Sequence, residues 1–404
     1  MRTLLALLLA LSVSPPLPAV RDPAVRPGPV TIAADIAGYG LVFVRARVNR
    51  SEPIWFAVDS GATFPFIIDT RRAAALGLRL EGGFTRKGGA GPGTYDVQTT
   101  HRVEIKVGGV EFVNQTAAVI ALRSLEAIAG RRLDGVIGRD LFIHYVVAID
   151  YRSQKISLYD PQSYTYTGTG ESVPLTMRGD YLLIPASVEM PDRPQVSGQF
   201  LVDTGGGLVT AALTTPFALS HGFPAATQTA VLDRSLWGLG GATRLLVTRA
   251  RSLALGKLVI QQPVIYVSQD KGGALASPDF DGVIGGEILR KFTVIFDVER
   301  RRLIMEPNPE YALQTEYDMS GMRLHASGSD LRTFTVFQVI ENSPASAAGL
   351  REGDVLAAVD GVPASRFSLD ALYQMLKRPG RSYQLNVRRG GRSISVTIRT
   401  ERLI

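Results

Sequence analysis

"WFAVDSGAT", residues 55–63, runs an apolar strand straight into an acid. Trp55, Phe56, Ala57 and Val58 belong in a core, yet Asp59, Ser60 and Gly61 follow at once. Asp, Ser and Gly are all turn formers, so one such stretch reads as an ordinary turn. The chain repeats it. "FLVDTGG", residues 200–206, is again an apolar strand feeding Asp203, Thr204 and Gly205.

The repeat extends outward from both acids. "LDGVIGRDLF" (133–142) is echoed by "FDGVIGGEIL" (280–289), and "YVVAIDYRSQKISLY" (145–159) by "FTVIFDVERRRLIME" (292–306). Asp59 precedes Asp134 by 75 residues and Asp203 precedes Asp281 by 78; Asp134 to Asp150 and Asp281 to Asp297 are both 16. A leading strand also recurs, "LVFVRARV" before Asp59 and "YLLIPASV" before Asp203. Four elements in one order at matched spacing mean two copies of one unit of roughly 140 residues. Within each unit, short Val, Ile, Leu and Phe runs broken by Gly, Pro, Asn and Asp read as strands. A short helix is expected after each Asp-Gly-Val-Ile-Gly, over 139–145 and 286–292, and a linker over 162–172.

Two related lobes that each present one Asp can meet at an approximate two-fold axis. Facing carboxyls cannot both ionise, so one proton is shared. The charged Asp can then activate a water while its protonated partner donates to a carbonyl oxygen. Gly61 and Gly205 allow close backbone approach. Ser60 and Thr204 bring hydroxyls that can tie the loops together.

"VDSGAT" and "VDTGGG", each with a downstream "DGVIG", resemble the active-site loops and supporting segments of aspartic proteases. The doubling within one chain resembles pepsin, and the short units resemble the retroviral-type aspartyl proteases of bacteria. The resemblance covers residues 30–307. It implies a mainly β, bilobal β-barrel fold with lobes over 28–165 and 170–310, and Asp59 and Asp203 as the catalytic dyad. It also implies Ser60, Thr204, Gly61 and Gly205 as the loop residues, and Val136, Ile137, Gly138 and Val283, Ile284, Gly285 as the hydrophobic-Gly supports. Glycine-rich stretches at 88–95 and 237–243, which include Gly91, Tyr95, Trp237 and Gly240, are candidate flaps, with Tyr95 or Trp237 as the substrate contact; ordinary loops are the alternative. One position departs from the family. Where pepsin-like loops carry a Ser or Thr after Asp-Thr-Gly, this chain has Ala62 and Gly206.

From about residue 316 the pattern changes. Ser343 and Pro344 start a short helix, Gly349 ends it, and Ser368 caps an amphipathic helix over 369–377 with Leu369, Leu372, Met375 and Leu376 on one side. "SPASAAGLREGDVLAAVDG" (343–361) resembles the signature of bacterial PDZ domains, an α+β fold, over 316–402. That resemblance implies a peptide ligand added as a strand beside the helix. It places the carboxylate-binding loop at Gly321, Met322, Arg323 and Leu324.

The 404 residues allow two to four domains. An apolar content of 45% and a charged content of 20% describe a globular chain. The net charge of +7 comes mostly from scattered arginines without a basic, aromatic-interleaved run, so no nucleic-acid partner is expected. The absence of cysteine excludes disulfides, thiolate metal sites and a cysteine nucleophile. The four histidines show no metal spacing, and no Gly-x-Ser-x-Gly elbow or phosphate loop occurs. No metal or cofactor is expected.

Residues 1–20 carry an apolar run over 4–13 with the length of a signal-peptide core, followed by small residues without a clean Ala-x-Ala site. Export, to a bacterial periplasm, is the expectation; an uncleaved anchor is the alternative and would bring the membrane as a partner. The reading is an exported aspartic endopeptidase acting on protein or peptide. The alternative is a protein that only binds peptides in the cleft and PDZ groove, although binding alone needs neither acid.

Overall fold

The computed structural model describes residues 29–87, 89–223, 230–234 and 236–404. The expected signal segment, residues 1–20, lies outside the described residues. The described chain is mainly β, and none of its helices is long and apolar enough to cross a membrane.

A six-stranded antiparallel sheet carries the two-fold relation between the repeated units. Its order is Val30–Ala33, Lys155–Tyr159, Val146–Asp150, Phe292–Asp297, Arg302–Pro307, Glu171–Pro174. The two "YVVAID/FTVIFD" strands pair at its centre, with Ala148 opposite Ile295, Val147 opposite Phe296 and Ile149 opposite Val294. Ala148 and Ile295 are sequence equivalents, being 147 apart like Asp134 and Asp281. The axis therefore passes through a residue paired with its own counterpart. One continuous core runs beneath this sheet into both lobes, with Phe142 edge-on to Phe296 at 4.7 Å.

The expected linker over 162–172 differs from a plain connector. Tyr164 and Tyr166 cover the outer face of the central sheet over Val146, Ala148, Ile295 and Ile304, and the Tyr166 hydroxyl donates to Glu306 at 2.7 Å. Apolar residues on both faces of the central strands require this cover.

Each lobe folds around one arrangement. In the first, Ile54–Val58 runs parallel to Gly135–Ile137, which pairs antiparallel with Phe66–Asp69. In the second, Val196–Val202, Gly282–Ile284 and Ala211–Leu213 do the same. The first lobe closes on itself because Thr94–Val107 reaches back to Val42–Val48. The second has the same hairpin in two segments, Leu245–Arg249 with Val264–Ser268 and Ser252–Leu255 with Leu258–Gln261, and Ser252–Leu255 likewise reaches back to Tyr181–Glu189. The expected short helices are Asp140–His144 and Gly286–Leu289.

The C-terminal domain has its own core. Its sheet order, Met322–Ser327, Thr333–Val339, Val355–Val359, Ser382–Arg389, Arg392–Arg399, leaves Met322–Ser327 at one edge. Ser343 and Ser368 cap the helices Pro344–Ala347 and Leu369–Leu376, accepting from Ser346 N at 3.2 Å and Ala371 N at 3.0 Å. Leu369, Leu372 and Leu376 are buried as the apolar stripe requires, Met375 is partly so, and Tyr373 joins them.

Candidate active site

Each acid stands where its strand leaves the sheet. Asp59 N donates to Ile137 O at 2.9 Å and Asp203 N to Ile284 O at 3.0 Å, so the Val-Ile segments fix the exit point of both loops. The acids of the two "DGVIG" copies brace this pairing. The Asp134 carboxylate accepts from Trp55 N at 2.9 Å and from Arg72 at 2.6 Å, and that of Asp281 from Gln199 N at 2.7 Å. Gly138 and Gly285 are needed for space: an added Cβ would lie 2.0 Å from Phe64 O and 2.5 Å from Gly206 O respectively.

The two loops then lock together. Ser60 N donates to Thr204 Oγ1 at 2.9 Å and Thr204 N to Ser60 Oγ at 3.0 Å. The two hydroxyls donate across the axis, Ser60 to Val202 O at 2.6 Å and Thr204 to Val58 O at 2.8 Å. Both side chains are fully buried. Four reciprocal bonds in a dry environment leave the loops little freedom. Gly61 N and Gly205 N donate to the Oδ1 of their own acids at 2.8 and 2.9 Å. A Cβ on Gly61 would stand 2.8 Å from Asp203 Oδ1, and one on Gly205 2.4 Å from Asp59 Cγ. Each loop glycine is thus the floor beneath the other lobe's carboxyl.

Burial is the largest influence on both carboxyls and raises them above the ordinary 3.8. For Asp59 the hydrogen bond with Asp203 and the backbone N–H groups of Gly61 and Ala62 oppose it. For Asp203 the charge of Asp59 and the bond with it add to burial, so its carboxyl is pushed well up. Both carboxyls are thus held above the ordinary carboxylate range, Asp203 further than Asp59. At positions 62 and 206 only backbone N–H groups act on the acids.

Above the acids lies a cavity of about 230 Å³, and Asp59 and Trp237 also border an adjoining one of about 110 Å³. The walls are apolar: Phe64, Leu125 and Val136 on one side, and Leu236, Phe280 and Val283 on the other, with Tyr95 and Tyr181 between. The two candidate flaps meet as its roof. Gly93 N donates to Gly240 O at 2.8 Å and Gly240 N to Ala90 O at 3.1 Å. Gly91 has φ +90, and a Cβ there would lie 2.4 Å from Gly241 O. Gly88 lies outside the described residues. No sequence pattern marked the helix Arg123–Ala129, Tyr181 or Phe280 as parts of the cleft, because side chains from distant stretches converge there only after folding.

Residues 44–141 match the family model described as aspartyl protease, and residues 314–388 that of the PDZ domain. A protein from Synechocystis sp. named as a serine protease, HhoA, is 37% identical over 70 residues. The chain spans only 17% of that relative's length, and the match is 17% of this chain. Together these matches support a peptidase that carries a PDZ domain.

At the expected carboxylate-binding loop of the PDZ domain, several polar groups already have partners within the chain. Asp318 Oδ1 already accepts from Ser320 N at 3.0 Å and Gly321 N at 2.6 Å, and Ser320 Oγ accepts from Met322 N at 3.0 Å. Of the expected loop, Gly321 N and Met322 N therefore have side-chain acceptors within the chain. Met322 and Leu324 point into the domain core. Arg323 is buried against Asp233 of the second lobe at 2.5 Å, where the Tyr317 hydroxyl also donates at 2.6 Å. The slot between edge strand and helix is bridged by Tyr373 Oη donating to Leu324 O at 2.9 Å.

Proposed function

We propose that the chain is an aspartic endopeptidase in which Asp59 and Asp203 form the dyad. The observation that carries this reading is the reciprocal Ser60–Thr204 lock, which sets two carboxyls face to face on an approximate two-fold axis beneath an apolar, roofed cleft. Asp59, the more readily ionised partner, takes a proton from a water held between the carboxyls. The resulting hydroxyl attacks the peptide carbon while protonated Asp203 gives its proton to the carbonyl oxygen. The tetrahedral intermediate collapses as the proton now on Asp59 passes to the leaving nitrogen, and Asp203 recovers its proton from the intermediate's hydroxyl. The apolar walls favour peptides with large apolar residues around the scissile bond, and the apolar segment over 4–13 supports action outside the cytoplasm.

The serine mechanism suggested by the relative's name finds less support. His221 meets the adjacent Ser220 at 3.0 Å at the end of the helix Thr215–Ser220, and neither borders the cleft. The test is cleavage of an internally quenched peptide with Leu or Phe on both sides of the bond. Asp59→Asn and Asp203→Asn should each abolish it in a folded chain, and a fluorophosphonate should leave the unaltered enzyme active. Retained activity in either variant would remove the dyad.

A further inference from the structure

A PDZ domain takes its peptide along the edge strand next to its helix. Here that strand, Met322–Ser327, faces the peptidase lobes. Helix Arg123–Ala129 of the first lobe packs along it, and a Cβ on Gly130, just past that helix, would meet the Leu369 side chain at 2.5 Å. Gly38 of the first lobe donates its N–H to Asp370 at 3.1 Å and accepts from Gln374 at 3.3 Å, both on the PDZ helix. From the second lobe comes Trp237, on the hairpin whose tip forms half of the roof. Its ring stands edge-on to His325 of the edge strand at 5.4 Å and 84°. His325 in turn stacks on Phe337 of the next PDZ strand at 3.7 Å and 18°. A continuous series of ring contacts, one edge-on and one stacked, therefore runs from the PDZ sheet to the roof of the cleft.

Trp237 borders the cavity over the two acids and the adjoining one that Asp59 also lines. Its indole Nε1 is buried and has no hydrogen-bond acceptor among the described residues. Indole nitrogen is a donor only, and a buried donor left unpaired is costly. An acceptor brought by a substrate would relieve that cost, and the acceptor repeated along every extended peptide is its backbone carbonyl.

We propose that the PDZ domain is a wall of the substrate site: His325 is a positioning residue that seats Trp237, and the Trp237 indole N–H binds a backbone carbonyl of the peptide substrate. The edge strand that would accept a foreign peptide is spent on holding the cleft's own walls. This inference rests on the peptidase reading, and its test separates the two.

Peptide binding is measured in the full chain carrying Asp59→Asn, by fluorescence anisotropy of the labelled Leu/Phe peptide, and KM and kcat in the chain with both acids. Trp237→Phe, which keeps a ring but loses the N–H, should weaken binding about three- to tenfold, the range for one hydrogen bond. His325→Ala should weaken it in the same direction, with KM rising more than kcat falls. His325→Phe, which keeps the stack, should restore binding to within about twofold. Adding His325→Ala to Trp237→Phe should cost little more, because one contact is lost by either route. Should the alanine variant unfold, His325→Asn removes the ring stack and reads the same. Unchanged binding in a folded His325→Ala or His325→Asn chain, no rescue by phenylalanine, or fully additive effects would overturn the proposal while leaving the dyad untouched. Peptide binding with this pattern, but no cleavage by the chain with both acids, would instead overturn the peptidase reading and leave the seat of Trp237 standing.

Discussion

Asp203 is a carboxyl that the fold holds back from ionising, by burial first and by Asp59 next. A group whose folded pKa is raised costs stability as pH climbs from its unfolded value, near 3.8, through its folded one. Below that window both states are protonated and the cost vanishes. Asp203→Asn should therefore stabilise the chain near neutral pH by a few degrees, at about 2–4 °C for each kcal/mol, and leave its melting temperature unchanged near pH 3. Thermal scans at the two pH values check this; equal shifts at both would mean the side chain acts through packing and not through charge. Ala62 concerns the other acid. A threonine there can donate a hydroxyl to ionised Asp59, favour the charged form and lower its pKa. A bond to a charged group is worth roughly 1.5–3 kcal/mol, so the acidic limb of the pH–rate profile should move down by about one unit. Gly206 is the poorer place for this test, since its Cβ would already crowd Asp203 Oδ2 at 3.1 Å. A limb that stays put in folded Ala62→Thr would count against the missing hydroxyl as the cause.

The roof is built from two glycine-rich tips whose backbones touch. At Gly240 a Cβ would lie 2.5 Å from Gly91 O, so Gly240→Ala must push the tips apart and strain both inter-tip hydrogen bonds. Closure over substrate should suffer, with kcat/KM for the apolar peptide falling about tenfold, a barrier change of about 1.4 kcal/mol. Gly83→Ala supplies the control. It sits in the strand Glu81–Lys87 that leads to the first tip, with nothing within 4 Å of its added carbon, and should behave as the unaltered enzyme. Equal losses in both would point to a general loosening of the hairpin. The glycines themselves are plain in the sequence; that the tips come from opposite lobes and bond to one another is not, because they are about 150 residues apart and are aligned only once the two lobes have packed together.

The PDZ domain and the second lobe are joined by buried charge. Asp233 and Arg323 lie 2.5 Å apart with side-chain exposures of 0% and 8%. Arg323→Ala removes the cation from beside a buried carboxylate, which should cost about 3–5 kcal/mol. Adding Asp233→Asn should recover part of it, since the uncompensated charge is the source. Differential scanning calorimetry of the unaltered, single and double variants decides this. A double variant worse than the single would show that packing at this interface outweighs its electrostatics. A boundary near residue 316 can be placed from sequence, where the repeat stops and new capping signals begin. The packing across it cannot: Ile340 lies in a cluster with second-lobe residues, and Leu208 packs on the PDZ core.

What could be read without a fold was whatever the chain writes locally and twice. The Asp-Ser-Gly and Asp-Thr-Gly turns, the Val-Ile-Gly supports, the helix caps at Ser343 and Ser368 and the matched spacing from Asp134 to Asp150 and from Asp281 to Asp297 are written in short stretches of the chain, so composition and period disclose them. Tertiary structure decided what depends on which surfaces meet. It put Asp318 onto the N–H group of Gly321, the first residue of the stretch that the PDZ resemblance implies as a carboxylate-binding loop, and it turned the tyrosines of an apparent linker into a cover for the central sheet. It also set Trp237 against His325, two aromatic residues separated by a domain boundary. Such contacts are chosen by desolvation and shape across long loops, and no short-range pattern in the chain records them.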